Sequence, residues 1–308
     1  MKEAARTLVV GESLIDIVHR AGQPAVEHVG GSPLNVAVGL TRLGHPVELS
    51  TYLGDDEHGT AILDHLRIDG LTLTAGSTGA DRTPTATAIL DESGSATYEF
   101  DLVWDLPYPM PAEFDHFHTG SIASALQPGA ERVRDWMLAA REHATTSFDP
   151  NVRPTLIGAA ADNRAILEQL IGLADVVKAS DEDISWLYGD AAPVEQILPL
   201  WARLGPSVVV ATRGGDGALV HLMRTGKTLE LPGRTVDLVD TVGAGDSFQS
   251  GLISGMLDAG LLGGTEARRR LLSADADAVL PAVQRAIDAS AITVSRAGAQ
   301  PPTRAELP

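Results

Sequence analysis

The chain has 308 residues, 44% of them hydrophobic and 4% aromatic, and carries a formal charge of −18. That length holds one large core or two small ones, and the acidic balance argues against nucleic acid or an anionic membrane as a partner. There is no cysteine, hence no disulfide framework and no thiolate chemistry, and no apolar run approaches the roughly 20 residues of a membrane span.

The first residues, Met1-Lys2-Glu3-Ala4-Ala5-Arg6, run straight into a strand-like stretch at 7–10 without a signal-peptide apolar region, so a cytoplasmic protein is expected. Further strands are predicted at 47–52, 145–148, 175–178, 207–211 and 218–222. Helices are predicted at 33–43, 60–68, 130–143, 164–173, 195–204, 247–258 and 282–295. This alternation reads as βαβ units around a mostly parallel sheet, with ligands at the carboxyl ends of the strands. A strand at 13–18 and a hairpin, 85–91 and 96–100 joined by Glu92-Ser93-Gly94-Ser95, suggest a small separate sheet that serves as a lid. The acidic stretch at 273–278 reads as a solvated loop.

Several short segments carry candidate chemistry. Asp16, just beyond the first strand, has two oxygens able to accept from hydroxyls of a polyol, or is an ordinary surface aspartate. In Gly30-Gly31-Ser32-Pro33-Leu34-Asn35, Ser32 suits an N-cap and Pro33 the first helical position. The paired glycines admit a ligand close to backbone, and the Asn35 amide suits a sugar hydroxyl; a well-capped structural helix fits equally. Arg153, in Asp149-Pro150-Asn151-Val152-Arg153, either orients substrate or pairs with a carboxylate. Thr212-Arg213-Gly214-Gly215-Asp216-Gly217 offers phosphate-binding donors and also suits a tight hairpin turn. Gly226-Lys227-Thr228 reads as a hairpin turn, since neither an upstream glycine nor a following helix completes a P-loop. His116 and His118 share a face at strand spacing and, without a third ligand, read as structural.

The segment Asp240-Thr241-Val242-Gly243-Ala244-Gly245-Asp246 leads into an amphipathic stretch in which Phe248, Leu252 and Met256 recur every four residues. A glycine turn at a helix N-terminus presents unpaired N–H groups and a positive dipole end to an anion. Asp246 there either caps its helix or takes the proton of a hydroxyl that attacks a phosphoryl group held by the turn.

Two of these segments together resemble the paired signatures of the ribokinase-like (PfkB) carbohydrate kinases: Gly30-Gly31-x-x-x-Asn35-x-Ala37 running on to Arg42-Leu43-Gly44, and Asp240-Thr241-x-Gly243-Ala244-Gly245-Asp246. The resemblance covers essentially the whole chain. It implies a three-layer α/β sandwich with a mostly parallel sheet, one kinase domain over 1–308, and a β lid formed by about 12–30 and 82–108. By this resemblance Asp246 is the catalytic base, and the backbone of Gly243, Ala244 and Gly245 is the anion hole. Asp16, Gly31 and Asn35 match sugar-contacting positions, and Arg153 is expected to join them. Lys178, Ser180, Thr212 and Gly214 join Gly243 and Gly245 on the nucleotide. Asp240, with carbonyls at Val242, Thr293, Arg296 and Gly298, forms a monovalent-cation site.

The family's Asn-x-x-Glu run, linked to magnesium and phosphate, is replaced here by Ser180-Asp181-Glu182-Asp183, so Mg²⁺ is expected to be held through water and ATP phosphates. Gly11-Glu12, Thr83-Pro84-Thr85-Ala86-Thr87 and Asp149-Pro150-Asn151-x-Arg153 look most like bacterial fructokinases, while Pro154-Thr155-Leu156-Ile157 replaces a tryptophan usual after that arginine. The implied activity is phosphorylation of a free hexose by ATP with Mg²⁺, with K⁺ as a further cofactor and fructose as the acceptor. A 2-keto-3-deoxygluconate kinase, a ribokinase-type enzyme and a non-catalytic sugar-binding regulator are the alternatives, and pairing of lids suggests a homodimer.

Overall fold

Alternating β-branched runs and amphipathic stretches build two sheets in the computed structural model, which describes residues 4–20, 22–90 and 96–308. The expected turn Glu92-Ser93-Gly94-Ser95 lies outside the described residues. In chain order the strands are β1 (Thr7–Val10), β2 (Leu14–Arg20), β3 (Val26–Gly30), β4 (Val47–Ser50), β5 (Thr72–Leu73), β6 (Thr85–Leu90), β7 (Ala96–Asp101), β8 (His116–Gly120), β9 (Thr145–Asp149), β10 (Val176–Ser180), β11 (Val208–Thr212), β12 (Ala218–Leu222) and β13 (Lys227–Leu231). The helices are α1 (Ser32–Arg42), α2 (Glu57–Asp69), α3 (Gly129–Ala140), α4 (Pro154–Ile157), α5 (Ala160–Leu173), α6 (Asp181–Tyr188), α7 (Val194–Ala202), α8 (Ala244–Asp258), α9 (Thr265–Leu272) and α10 (Ala276–Val294).

Nine strands form the main sheet in the order β13-β12-β11-β10-β9-β8-β1-β4-β5. Every pair from β11 to β5 is parallel, and β12 and β13 add antiparallel at one edge. Side chains alternate across the strands, so each face of the sheet needs its own cover. Val9, Val176 and Val208 pack with Leu34 of α1, Phe248 of α8 and Ala286 of α10. Leu8, Val10, Val177 and Val209 pack on the other face with Val133 of α3, Leu170 of α5, Leu187 of α6 and Leu198 of α7. The expected three-layer ribokinase-like sandwich is therefore present. A four-stranded sheet, β3-β2-β6-β7, forms the lid.

Helix α8 is set close against α10. A Cβ on Gly251 would stand 2.8 Å from Ala286 Cα, and one on Gly255 would stand 2.6 Å from Ala282 Cα. Small residues on both helices thus let the backbones approach and fix where the N-terminus of α8 points.

Helix starts differ from expectation where a cap decides. Asp56 accepts from Gly59 N–H at 2.7 Å, so α2 begins at Glu57 and not at 60. The expected loop at 273–278 is corrected in the same way: Asp275 accepts from Ala278 N–H and caps α10, which begins at Ala276. The hairpin expected at Gly226-Lys227-Thr228 is present, with Gly226 ending the turn between β12 and β13 and Lys227 and Thr228 opening β13, paired with Leu222 and His221.

Candidate active site

The carboxyl ends of the parallel strands converge with the N-termini of α1 and α8. Gly243 caps α8 in the left-handed region, φ 74° and ψ 4°, a conformation open to glycine at no steric cost. No side chain caps this helix. The first-turn N–H groups and the positive dipole end are therefore presented by the turn, as an anion site needs.

Asp246 is the third helical residue, 8% exposed, and does not cap its own helix. Its carboxylate is held by α1 instead: Ser32 Oγ donates to Oδ1 at 2.6 Å, and Asn35 Nδ2 donates to Oδ2 at 2.8 Å. Asn151 Nδ2 in turn donates to Ser32 Oγ at 2.8 Å. The helix-cap reading of Asp246 is thus corrected, and so is that of Ser32. Gly31, at φ 112°, is the N-cap of α1, and the Ser32 hydroxyl is directed across to Asp246. Asn35, expected on a sugar hydroxyl, reaches Asp246 with its amide nitrogen. Neither the Ser32 bond to Asp246 nor the Asn151 bond to Ser32 was singled out from sequence, because each partner lies on a distant segment.

The paired glycines have a structural reason of their own. A Cβ on Gly30 would fall closer than 3.0 Å to Asp16 Oδ2, and one on Gly31 would stand 2.5 Å from the Glu12 carbonyl oxygen. The room that the sequence suggested for a ligand is taken at Gly30 by the Asp16 carboxylate. Asp16 touches solvent, yet desolvation in the cleft raises its carboxyl pKa, against the opposing charges of His28 and Arg153. Arg153 is exposed and donates to Asn151 Oδ1 at 2.7 Å and to the Asn151 and Val152 carbonyls. Its charge is felt by Asp16 and by Glu12. Burial raises Glu12 to about 7, although Ser121, Arg153 and the Ala123 N–H favour its ionised form.

The lid adds an element that the sequence reading did not identify. Asp16 pairs with Ala86 and Ala86 with Phe100; Val18 pairs with Ala88 and Ala88 with Tyr98. Directly opposed residues share a face, so Phe100 and Tyr98 stand on the Asp16 side of the lid. They are 37% and 57% exposed and stack with centroids 6.1 Å apart.

On the β10–β11 side, Ser180 and Thr212 are paired at the strand ends, and Gly214 follows at φ 52° in an exposed turn. Arg213 N–H donates to the Gly217 carbonyl at 2.8 Å, so the tight-turn reading holds. Ser180 caps α6 in a reciprocal box: Asp183 N–H donates to Ser180 Oγ at 3.0 Å, and Ser180 N–H to Asp183 Oδ2 at 2.8 Å. Asp183 Oδ1 accepts from Val152 N–H at 2.9 Å. Both oxygens of this carboxylate are therefore engaged by backbone. Lys178 is 3% exposed, and its Nζ lies 2.8 Å from Asp149 Oδ2. Burial opposes the Lys178 charge, but the pull of Asp149, joined by Asp183 and Asp246, holds its pKa above the ordinary value.

Asp240 joins the two segments expected around a monovalent cation. Oδ1 accepts from Val242 N–H at 3.0 Å and Oδ2 from Gly298 N–H at 2.8 Å, and these bonds hold its pKa down. Thr293 is buried with its hydroxyl donating to Ser247 Oγ at 2.7 Å, and Arg296 pairs with Glu306. His116 and His118 are structural: both are buried and hydrogen bonded to Ser147, and His116 also to Thr145. Among the described residues no three His, Cys, Asp or Glu side chains cluster as metal ligands.

The sheet order, the three layers and the small second sheet are those of the ribokinase-like α/β kinases. The chain belongs to the pfkB family of carbohydrate kinases: the model described as pfkB family carbohydrate kinase matches residues 4–306. Similar proteins include a fructokinase of Klebsiella pneumoniae, 32% identical over 82% of this chain and 85% of the relative. A double mutant of Vibrio cholerae O395 fructokinase, in fructose, ADP and potassium ion bound form, superposes with a TM-score of 0.79 at 26% identity, covering 97% and 95% of the two chains. An aminoimidazole riboside kinase of Salmonella enterica, complexed with aminoimidazole riboside and an ATP analog, gives 0.76 at 25% identity over 96% and 95%.

Proposed function

We propose that the chain is an ATP-dependent hexokinase of pfkB type whose acceptor is fructose, giving fructose 6-phosphate. The observation that carries the reading is Asp246, hydrogen bonded by Ser32 and Asn35 at the start of an uncapped helix. The acceptor oxygen forms a bond to the γ-phosphorus, the bond from that phosphorus to the β,γ-bridging oxygen breaks, and ADP leaves. The hydroxyl proton passes to Asp246, while N–H groups at Gly243, Ala244 and Gly245 steady the equatorial oxygens. Asp16 and Arg153 orient the sugar, and Asn35 bridges the sugar site to Asp246. Ser180, Thr212 and Gly214 line the nucleotide side. Phe100 and Tyr98 supply the lid's apolar surface, which excludes water as the cleft closes.

Magnesium, when bound, neutralises phosphate charge. Asp183 has both oxygens engaged by N–H groups, which favours a metal carried on the nucleotide phosphates and water. Asp240, with carbonyls at Val242, Thr293, Arg296 and Gly298, would hold K⁺; the Asp240–Gly298 bond at 2.8 Å supports this by drawing the two segments together. The exposed aromatic face of the lid favours a homodimer that pairs lid to lid.

The fructokinase relatives favour fructose, and the similarity to aminoimidazole riboside kinase favours a riboside as the second acceptor class. ADP release measured with fructose, ribose, 2-keto-3-deoxygluconate and aminoimidazole riboside, each with and without K⁺, tests the choice. The highest kcat/KM is expected with fructose. A higher value with another acceptor reassigns the substrate, and sugar binding without ADP formation replaces the enzyme by a regulator.

A further inference from the structure

Beneath the anion turn lies a charge that ligand contacts do not explain. Apart from Gly245's chain neighbours and the nearby backbone of α8, the Lys178 ammonium, on β10, is the one heavy atom among the described residues within 4 Å of the position a Cβ on Gly245 would take, at 3.1 Å. Gly245 is the second residue of α8, directly before Asp246. The ammonium is also bound to Asp149 Oδ2 at 2.8 Å, and both side chains are buried. The other oxygen, Asp149 Oδ1, is buried without a hydrogen-bond partner. The charges of Asp183 and Asp246 also act on Lys178, and the charge of Lys178 acts on His118.

A buried ion pair with an unpartnered oxygen is a poor way to stabilise a core, because desolvation rivals the attraction and hydrophobic replacements are often neutral or better. The pair also meets the turn at its positive end: Lys178 Nζ stands 3.1 Å from where a Cβ on Gly245 would sit. A positive charge there adds to the field of the α8 N-terminus. Low dielectric surroundings strengthen that field where the transferring phosphoryl group would sit.

We infer that Lys178, oriented by Asp149, is the buried counter-charge of the Gly243–Gly245 turn, acting through the turn on the phosphoryl group in transfer and not as a direct nucleotide contact. This rests on the kinase reading above. As the bond to the acceptor oxygen forms and the bond to ADP breaks, Lys178 keeps its proton and Asp246 receives the hydroxyl's. Gly245 is then glycine so that the ammonium can reach the turn.

The test compares the parent chain with Lys178→Met and with Lys178→Met/Asp149→Leu, which fills the site without leaving a lone charge. The expected result is a kcat about 10²- to 10³-fold lower in both, with the Kd for ATP by calorimetry within about threefold and the Tm of the double variant equal to or above the parent's. A double variant with kcat within about threefold of the parent overturns the inference. So does a loss confined to KM and Kd for ATP, which makes Lys178 a nucleotide contact. A parent without sugar-dependent ADP release overturns the kinase reading, and the inference with it.

Discussion

The Gly30–Asp16 contact gives a prediction that separates binding from folding. In Gly30→Ala the new methyl falls closer than 3.0 Å to Asp16 Oδ2, with Asp16 Cγ at 3.2 Å and Leu14 Cδ1 at 3.4 Å. Restoring an ordinary contact of about 3.5 Å moves the carboxylate by roughly 1 Å. Gly30 is outside the left-handed region, so alanine adds no backbone strain, and Asp16 can swing toward solvent at a rotamer cost of about 0.5–1.5 kcal/mol. The lower entropy of the unfolded alanine chain returns about 0.4–1 kcal/mol, leaving Tm nearly unchanged. Hydrogen bonds to a charged group contribute about 1.5–3 kcal/mol each, so losing one lowers kcat/KM for the sugar by roughly 10- to 150-fold while KM for ATP stays put. Steady-state kinetics with sugar and ATP varied separately measures both. In an Asp16→Ala background the same substitution should be silent. An unchanged sugar kcat/KM in Gly30→Ala would refute the reasoning, as would equal losses in both backgrounds.

Removing the Asn35 amide with Asn35→Ala frees Asp246 Oδ2 and should lower kcat by about tenfold or more with ATP affinity retained, read by kinetics and calorimetry. His116 and His118 are each held down to about 3 by burial. Unfolded histidine titrates near 6.5, so between about pH 6.5 and 3 the unfolded chain binds more protons and stability falls as the pH falls. The full effect is on the order of 5 kcal/mol per imidazole. Glu12 and Asp149, raised to about 7 and about 6, take up protons when folded and offset part of it. The urea stability of His116→Gln should therefore fall less than the parent's from pH 7 to pH 5. Phe100→Asp should shift a lid-paired dimer to monomer in light scattering, whereas an unchanged mass argues against pairing through that face.

What was legible in the sequence is what depends on neighbours along the chain. The Asp240–Asp246 turn, the glycine pair before α1 and the β–α alternation all announce themselves within a few residues. Helix α6 is not among the predicted elements: Asp181, Glu182 and Asp183 read only as the counterpart of a phosphate-linked run. At a helix N-terminus the same charges complement the dipole, and Asp183 closes a box with Ser180. Contacts across distant segments stayed hidden: Ser32 to Asp246 spans 214 residues, and Asn151 to Ser32 spans 119. The place of Phe100 and Tyr98 on the Asp16 face of the lid depends on the β2–β6–β7 register, which alternation alone leaves open by one residue. The glycine pair shows the same limit: its need for space was readable, but its occupants, Asp16 and the Glu12 carbonyl, were not.

The central claim is that Asp246 accepts the proton of the attacking hydroxyl. Asp246→Asn keeps the shape and the hydrogen bond from Ser32 but cannot take the proton. Single-turnover ADP formation with saturating sugar and ATP measures that step directly. The account predicts a rate lower by about 10²- to 10⁴-fold, with sugar affinity by calorimetry within about threefold of the parent. A variant that turns over at a near-normal rate would contradict it.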